Sequence, residues 1–111
     1  MAETAYGSIA PKFLAATPGS TVTLTPLTAL NWKWTPGETE NVAAATGGFP
    51  GQVLTCLIAT SGATSYTLTF TTNFHTTATL ATGVTTARFF VITFISDGIN
   101  WYETSRTAAM A

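Results

Sequence analysis

Residues 87–107, ARFFVITFISDGINWYETSRT, contain the most apolar run of the chain. Residues 88–95 are almost all β-branched or aromatic, which favours a strand, and residues 97–100 supply turn chemistry. Residues 101–107 are therefore predicted to fold back as the second strand of a β-hairpin. Apolar side chains alternate onto both faces of the first strand, with Phe90, Ile92 and Phe94 on one face and Phe89, Val91 and Ile95 on the other. Neither face is typical of a solvated one, so the hairpin is expected to lie between two layers or between a core and another subunit.

The composition favours a single all-β domain. Hydrophobic residues make up 46% of the 111 residues and charged residues only 8%, whereas an average soluble domain has about 25% charged residues. Threonine takes the place of charged residues, and its β-branched hydroxyl side chain suits the exposed face of a sheet. A surface with so few charges also predicts that part of it is buried by assembly, for which we expect a homotrimer.

Short alternating segments separated by turn residues run through most of the chain. The predicted strands before the hairpin lie at residues 20–25, 28–35, 40–45, 52–60, 65–71 and 77–81. About eight short strands spaced near 10 residues predict a single-domain antiparallel β-sandwich or jelly roll. We assign this domain to residues 20–111.

Residues 1–19 show no clean period and are predicted to form an extended N-terminal arm. Proline at two positions excludes a long helix or a central strand. A disordered terminus is one interpretation of this segment. Its four large apolar residues, Tyr6, Ile9, Phe13 and Leu14, favour instead an arm that packs on a neighbouring molecule.

No residue pattern points to catalysis or to a metal site. His75, the one histidine, has neither an orienting partner nor a nucleophile in a local motif, and we expect it in a loop. Glu38 and Glu40 have the spacing of paired carboxylates, but beside a Pro-Gly turn two solvated acids are expected. Cys56 lies in an apolar strand and is predicted to be an inert core residue. We therefore predict no catalytic residue and no cofactor.

The aromatic residues leave two interpretations open. Trp32, Trp34, Trp101 and Tyr102 could stack on the apolar faces of sugar rings. Alternation places Trp32 and Trp34 on the same strand face, however, where a tryptophan pair usually belongs to a core or to a subunit interface.

Charge and hydropathy argue against two classes of partner. The net charge of −1, with four well-separated basic residues, provides no field for direct nucleic-acid binding. No run of about 18 apolar residues predicts a membrane span, and the first residues lack a secretory signal. The chain is expected to be cytosolic when it is made.

The segment 96–106, SDGINWYETSR, resembles the C-terminal signature DG-x-N-W-Y-E-x-S-R of small β-structured virion proteins of tailed bacteriophages. Residues 49–55 and 70–83 are similar to the same proteins in the same order, so the resemblance extends from Gly47 to Ala108. It implies a non-enzymatic structural protein of the virion. The expected role is a capsid decoration, or cement, protein that binds the major capsid protein on the outer surface of the shell as a trimer. The alternative is a tail, fibre or baseplate component that binds a host surface glycan.

The roles of two signature residues are left open between two alternatives. Glu103 and Arg106 could form a surface ion pair of little energetic weight, or the planar Arg106 fork could bind carbonyls or a carboxylate across an interface. The residues predicted to contact another subunit or the capsid are Tyr6, Ile9, Phe13, Leu14, Phe89, Val91, Trp101, Glu103 and Arg106.

Overall fold

The structure is a computed structural model that describes residues 13–111. Within these residues the chain forms ten β-strands and no helix, which confirms the all-β prediction. No helix among them could therefore span a membrane. The strands are β1 (Leu14–Ala15), β2 (Thr21–Leu24), β3 (Asn31–Trp34), β4 (Glu40–Ala44), β5 (Val53–Ala59), β6 (Thr67–Phe70), β7 (Phe74–His75), β8 (Leu80–Ala81), β9 (Phe89–Ser96) and β10 (Trp101–Arg106).

The strands form two sheets. The large sheet has the order β1-β3-β5-β9-β10-β7 and the small sheet has the order β2-β4-β6-β8. From β1 to β8 the chain enters the two sheets alternately, so that β1, β3 and β5 pair in parallel in one sheet and β2, β4 and β6 in the other. The chain thus winds as a flattened coil, in a solenoid-like arrangement.

This winding differs from the predicted antiparallel sandwich or jelly roll. Parallel neighbours need a crossover connection, and from β1 to β6 each crossover contains one strand of the opposite sheet. The antiparallel pairs, β5 with β9, β9 with β10 and β6 with β8, occur at the C-terminal end of the coil. The prediction was wrong in its connectivity because alternation specifies which side chains face inward, not which strand lies alongside.

The predicted hairpin is confirmed as β9 and β10. Tyr102 pairs with Ile95 and Glu103 with Phe94, and a bulge follows between Glu103 and Ser105. The hairpin lies between β5 and β7 in the large sheet. It therefore joins the coil to the last edge strand of that sheet.

The core lies between the two sheets and is made by one face of every long strand. Its fully buried large side chains include Trp101, Phe94, Leu24, Leu54, Ile58, Leu68 and Ile92. Rings of Phe70, Phe74 and Phe94 pack at centroid distances of 5.2, 5.3 and 4.7 Å and tie the two sheets together. Aromatic pairs at these distances add packing energy beyond the area that they bury.

The predicted arm enters the large sheet at its C-terminal end. Leu14 and Ala15 pair in parallel with β3, the Ala16 amide donates to the Lys33 carbonyl at 2.9 Å, and the Ala16 side chain is buried. Residues 14–16 therefore contact their own domain, where the sequence predicted a contact with a neighbour. Tyr6 and Ile9 lie outside the described residues.

Candidate functional site

The turn of the C-terminal signature is held by its own polar side chains. The Asp97 carboxylate accepts hydrogen bonds from the amides of Asn100 and Ile99, at 2.8 and 2.9 Å, and these bonds lower the pKa of Asp97. Gly98 has a φ of +94°, which a residue with a side chain rarely adopts. The buried Ser96 hydroxyl accepts from the Gly98 amide and donates to the Gly47 carbonyl. The turn is therefore tied to the connection between β4 and β5.

Trp101 lies in the core, not on the surface where the sequence predicted an interface. Its side chain is fully buried, and its indole Nε1–H donates to the Thr46 carbonyl at 2.8 Å. A Cβ added to Gly48 would overlap the Trp101 ring. The signature tryptophan thus anchors β10 against the β4–β5 connection, and its side chain is not available to a partner.

Glu103 and Arg106 act together within the chain. Arg106 Nε lies 2.7 Å from Glu103 Oε2, and the other guanidinium nitrogens donate to the carbonyls of Ala78 (2.8 Å) and Thr79 (3.0 Å). Glu103 Oε1 in turn accepts from the Thr77 amide at 3.0 Å. The Arg106 bond lowers the pKa of Glu103, and the same pair raises the pKa of Arg106. The Glu103–Arg106 ion pair, one of the two interpretations of the sequence, is therefore present, and the Arg106 fork also binds carbonyls of the β7–β8 loop of its own chain.

The outward face of the large sheet is named the outer face, and it carries the exposed large apolar residues of the described strands other than Leu14. Its members are Ala15, Asn31, Lys33, Val53, Thr55, Leu57, Ala59, Phe89, Val91, Thr93, Ile95, Tyr102, Ser105 and His75. Phe89 and Val91, predicted from the sequence as interface residues, lie on this face. Phe13, the remaining described arm residue, is 42% exposed just before β1.

One apolar row crosses the outer face near the turns of the signature. Val53 pairs with Ile95, Ile95 with Tyr102, and Tyr102 with His75, which places the four side chains side by side. Val53, Ile95 and Tyr102 are 51%, 41% and 38% exposed. The His75 and Tyr102 rings stack at 4.9 Å with an interplanar angle of 10°. His75 is thus part of a strand and not of the predicted loop.

A second apolar row lies at the opposite end of these strands. Leu57 pairs with Val91, and Phe89 forms a bridge with Met110. Phe89 and Met110 remain about two-fifths exposed. Beside them an open groove of about 540 Å³ runs toward β1, with Lys33 among its lining residues.

Hydroxyl groups separate the two apolar rows. Thr55 pairs with Thr93 and Thr93 with Ser105 across the middle of the outer face. The Thr93 hydroxyl lies 2.7 Å from that of Ser105 and 2.8 Å from that of Thr104. The outer face is therefore apolar at both ends and polar in the middle.

The outward face of the small sheet is different. Among the described residues, none of its strands carries a large apolar side chain on that face. Its outward positions hold Thr21, Thr23, Asn41, Ala43, Thr67, Thr69 and Ala81. The threonine-rich alternation predicted this solvated face correctly. The sequence did not identify Val53 and Ile95 as exposed, because the nearly continuous apolar strands around them are also typical of a sheet centre.

Glu40 is buried, which contradicts the prediction of two solvated acids, whereas Glu38 is exposed. The Trp34 indole donates to Glu40 Oε1 at 2.8 Å, and the Gly19 amide donates to Oε2 at 3.1 Å. Burial raises the pKa of Glu40 although both hydrogen bonds oppose that shift. Cys56 is a fully buried core residue, as predicted, and burial raises the pKa of its thiol.

The structure separates the four aromatic residues considered as a sugar platform. Trp32, Trp34 and Trp101 face the core, at 5%, 5% and 0% exposure, and only Tyr102 of the four lies on the surface. In the described part of the chain no three His, Cys, Asp or Glu side chains come together as a metal site.

No protein-family model matches this chain, and no curated protein matches it either.

Proposed function

We propose that this protein is a structural component of a tailed-bacteriophage particle, a capsid decoration protein that binds the outer surface of the assembled shell. The proposal rests on the resemblance of residues 96–106 to the virion-protein signature. Its partners are the major capsid protein and, in a homotrimer, two further copies of the chain. The proposed role needs no enzymatic activity and no cofactor.

The internal bonds of the signature support a structural role for it. Asp97 and Ser96 hold the β9–β10 turn, Trp101 anchors β10 to the β4–β5 connection, and Glu103 with Arg106 holds the β7–β8 loop. These polar groups are satisfied inside the chain, so none of them is presented as a nucleophile or a base. These bonds are those expected of a motif that specifies how a β domain is built, and they support the proposed non-enzymatic role.

The proposed mechanism is linkage between binding and assembly. A protein that binds the assembled lattice, but not free capsid subunits, stabilises the lattice by the free energy of its own binding. At a free concentration of 100 times the dissociation constant this amounts to about 2.7 kcal/mol per site. Because a shell has many such sites, the summed free energy stabilises the lattice even when the affinity of each site is modest.

The N-terminal arm is the part of the chain that we assign to the capsid contact. Phe13 is 42% exposed and Leu14 38% exposed at the start of β1, which is an edge strand of the large sheet. Tyr6 and Ile9 would add two apolar anchors before that edge. An extended segment at a sheet edge can supply backbone hydrogen bonds as well as side-chain contacts to a partner.

The test is the location and effect of the protein on particles. Purified protein should co-sediment with empty capsids, raise their resistance to heat, and leave free capsid subunits unbound. Density of the intact particle should then show it in a regular array on the shell. Equal binding to free subunits, or no binding to capsids, would contradict the proposed function.

The second candidate is a tail, fibre or baseplate component that binds a host glycan. The observation that favours it is the exposed, stacked pair of Tyr102 and His75, since aromatic faces pack on sugar rings. Particle density found only on the tail would select this candidate. Replacement of Tyr102 by alanine should then abolish binding to isolated host-surface polysaccharide.

A further inference from the structure

The two outward faces of the protein differ sharply in apolar content. On the large sheet, Val53, Ile95, Tyr102, Phe89 and the adjoining Met110 are between 38% and 51% exposed. The outward strand positions of the small sheet hold threonine, asparagine and alanine instead. We infer that the outer face of the large sheet is the surface through which copies of this chain bind one another.

The apolar area fits one side of a protein interface. At roughly 200 Å² for each large apolar residue, the exposed parts of these five side chains amount to about 400 Å². Phe49 and Ile99, 62% and 72% exposed, lie in the turns at one end of the same strands. A stable interface buries about 800 Å² on each partner, of which somewhat more than half is apolar. The outer face is therefore large enough for the centre of such an interface.

The polar chemistry of the face suits a second copy of the same chain. Of its outward strand positions in the described residues, only Lys33 is charged, and it lies on β3, beside the edge strand β1. Identical charges in the middle of a self-interface would repel each other, and here that position is occupied by hydroxyl groups. The hydroxyls of Thr55, Thr93 and Ser105 both donate and accept hydrogen bonds, so that a row of them is complementary to itself.

The arrangement of the rows supports the same partner. Along the strands the order is apolar, hydroxyl, apolar, from Val53 and Ile95 through Thr93 to Val91 and Phe89. A copy that packs face to face about a two-fold axis places hydroxyl row on hydroxyl row and apolar row on apolar row, so the pair that this face defines is a dimer and not the proposed trimer. A different protein would need a surface that matches this apolar, hydroxyl, apolar order. Lys33 alone provides little charge with which the outer face could select a charged partner.

This inference rests on the homo-oligomer of the proposed function but does not depend on binding to the capsid. It is therefore tested on the free, full-length protein, by sedimentation equilibrium at micromolar concentration. The wild-type protein should be oligomeric. Replacement Val53→Glu places a charge in the apolar row and should weaken association by roughly tenfold or more. Val84→Glu is the matched control, because Val84 is 67% exposed but lies beyond β8 of the small sheet; it should associate like the wild type.

A second variant, Ile95→Thr, keeps a β-branched residue in the strand and should also weaken association. Far-UV circular dichroism establishes that each variant is folded. A monomeric wild-type protein, or equal association of the Val53→Glu and Val84→Glu variants, would overturn the inference. An oligomer that loses affinity through Val53→Glu yet fails to bind capsids would uphold it and overturn the proposed function instead. A dimer would likewise uphold the self-association face and exclude the proposed trimer.

Discussion

Replacing Glu40 by glutamine should remove a pH-dependent part of the stability of this protein. Burial raises the pKa of the Glu40 carboxyl above its ordinary value of about 4.3. The folded state therefore holds the proton more tightly than the unfolded state, and stability must fall as pH rises from that value through the pKa of the folded protein. Each unit by which burial raises the pKa contributes about 1.4 kcal/mol to this fall.

At low pH, the hydrogen bonds to residue 40 determine the difference in stability between the wild type and Glu40→Gln. The wild-type side chain faces two N–H donors, from Trp34 at 2.8 Å and from Gly19 at 3.1 Å. Glutamine keeps one carbonyl oxygen for Trp34 but turns an NH₂ group toward the Gly19 amide, which loses its acceptor. One lost hydrogen bond of this kind costs about 1 to 2 kcal/mol. At pH 4 the wild-type carboxyl is mostly protonated, and its hydroxyl oxygen is a weaker acceptor than a carboxylate oxygen. The wild type should therefore be more stable than Glu40→Gln by at most that amount.

The difference should then shrink, or reverse, between pH 4 and pH 8, because only the wild type must ionise a buried carboxyl group. Urea unfolding followed by tryptophan fluorescence measures both proteins across this range. Asp97 and Glu103, whose pKa values are lowered, stabilise the folded state above their ordinary pKa and lose that effect as pH falls. Their contribution is the same in both proteins and cancels in the difference.

Glu38→Gln is the matched control, since Glu38 is exposed and its charge is the smallest of the causes that raise the pKa of Glu40. Its stability relative to wild type should rise only slightly with pH over the same range. A Glu40→Gln difference that is independent of pH would refute the reasoning. A wild-type advantage that grows with pH would mean that the two hydrogen bonds outweigh burial, which would refute it as well.

Arg106→Lys should lower the free energy of unfolding by about 1 to 2 kcal/mol and speed hydrogen exchange in the β7–β8 loop. The guanidinium makes four hydrogen bonds from three nitrogens, whereas an ammonium group has three N–H donors on a single nitrogen and cannot replace them all. Equal stability of Arg106→Lys and Arg88→Lys would contradict this. Gly47→Ala should cost about 1 to 3 kcal/mol, because its Cβ would overlap a carbonyl of the signature turn. Gly37→Ala, whose Cβ has no neighbour within 4 Å, should change the melting temperature little, so a similar loss in both would be unexpected. Deletion of residues 2–12 leaves β1 intact, so it should preserve the far-UV circular dichroism spectrum while abolishing binding to empty capsids. Loss of the β spectrum would assign these residues to the core instead.

Local sequence patterns were sufficient to predict the hairpin and most of the other strands, but not the two-residue strands β1 and β7. The alternation of Val22 with Leu24 and of Leu68 with Phe70 predicts strands with one buried face, and these residues are buried. The Asp-Gly turn after Ser96 predicts the β9–β10 hairpin, which the structure confirms. These features depend on neighbours within a few residues, and a linear pattern contains that information.

The order and direction of the strands came only from the tertiary structure. Backbone hydrogen bonds form between any two strands whatever their side chains, so alternation along β3 does not indicate that it lies parallel to β5. The burial of Glu40 depends on Gly19, and the partners of Arg106 lie in the β7–β8 loop, both more than 20 residues away in the sequence. Such contacts are decided by how the coil stacks. The sequence by itself determined where the longer strands lie and which of their faces are apolar, and only the packed chain decided which of those faces remained exposed.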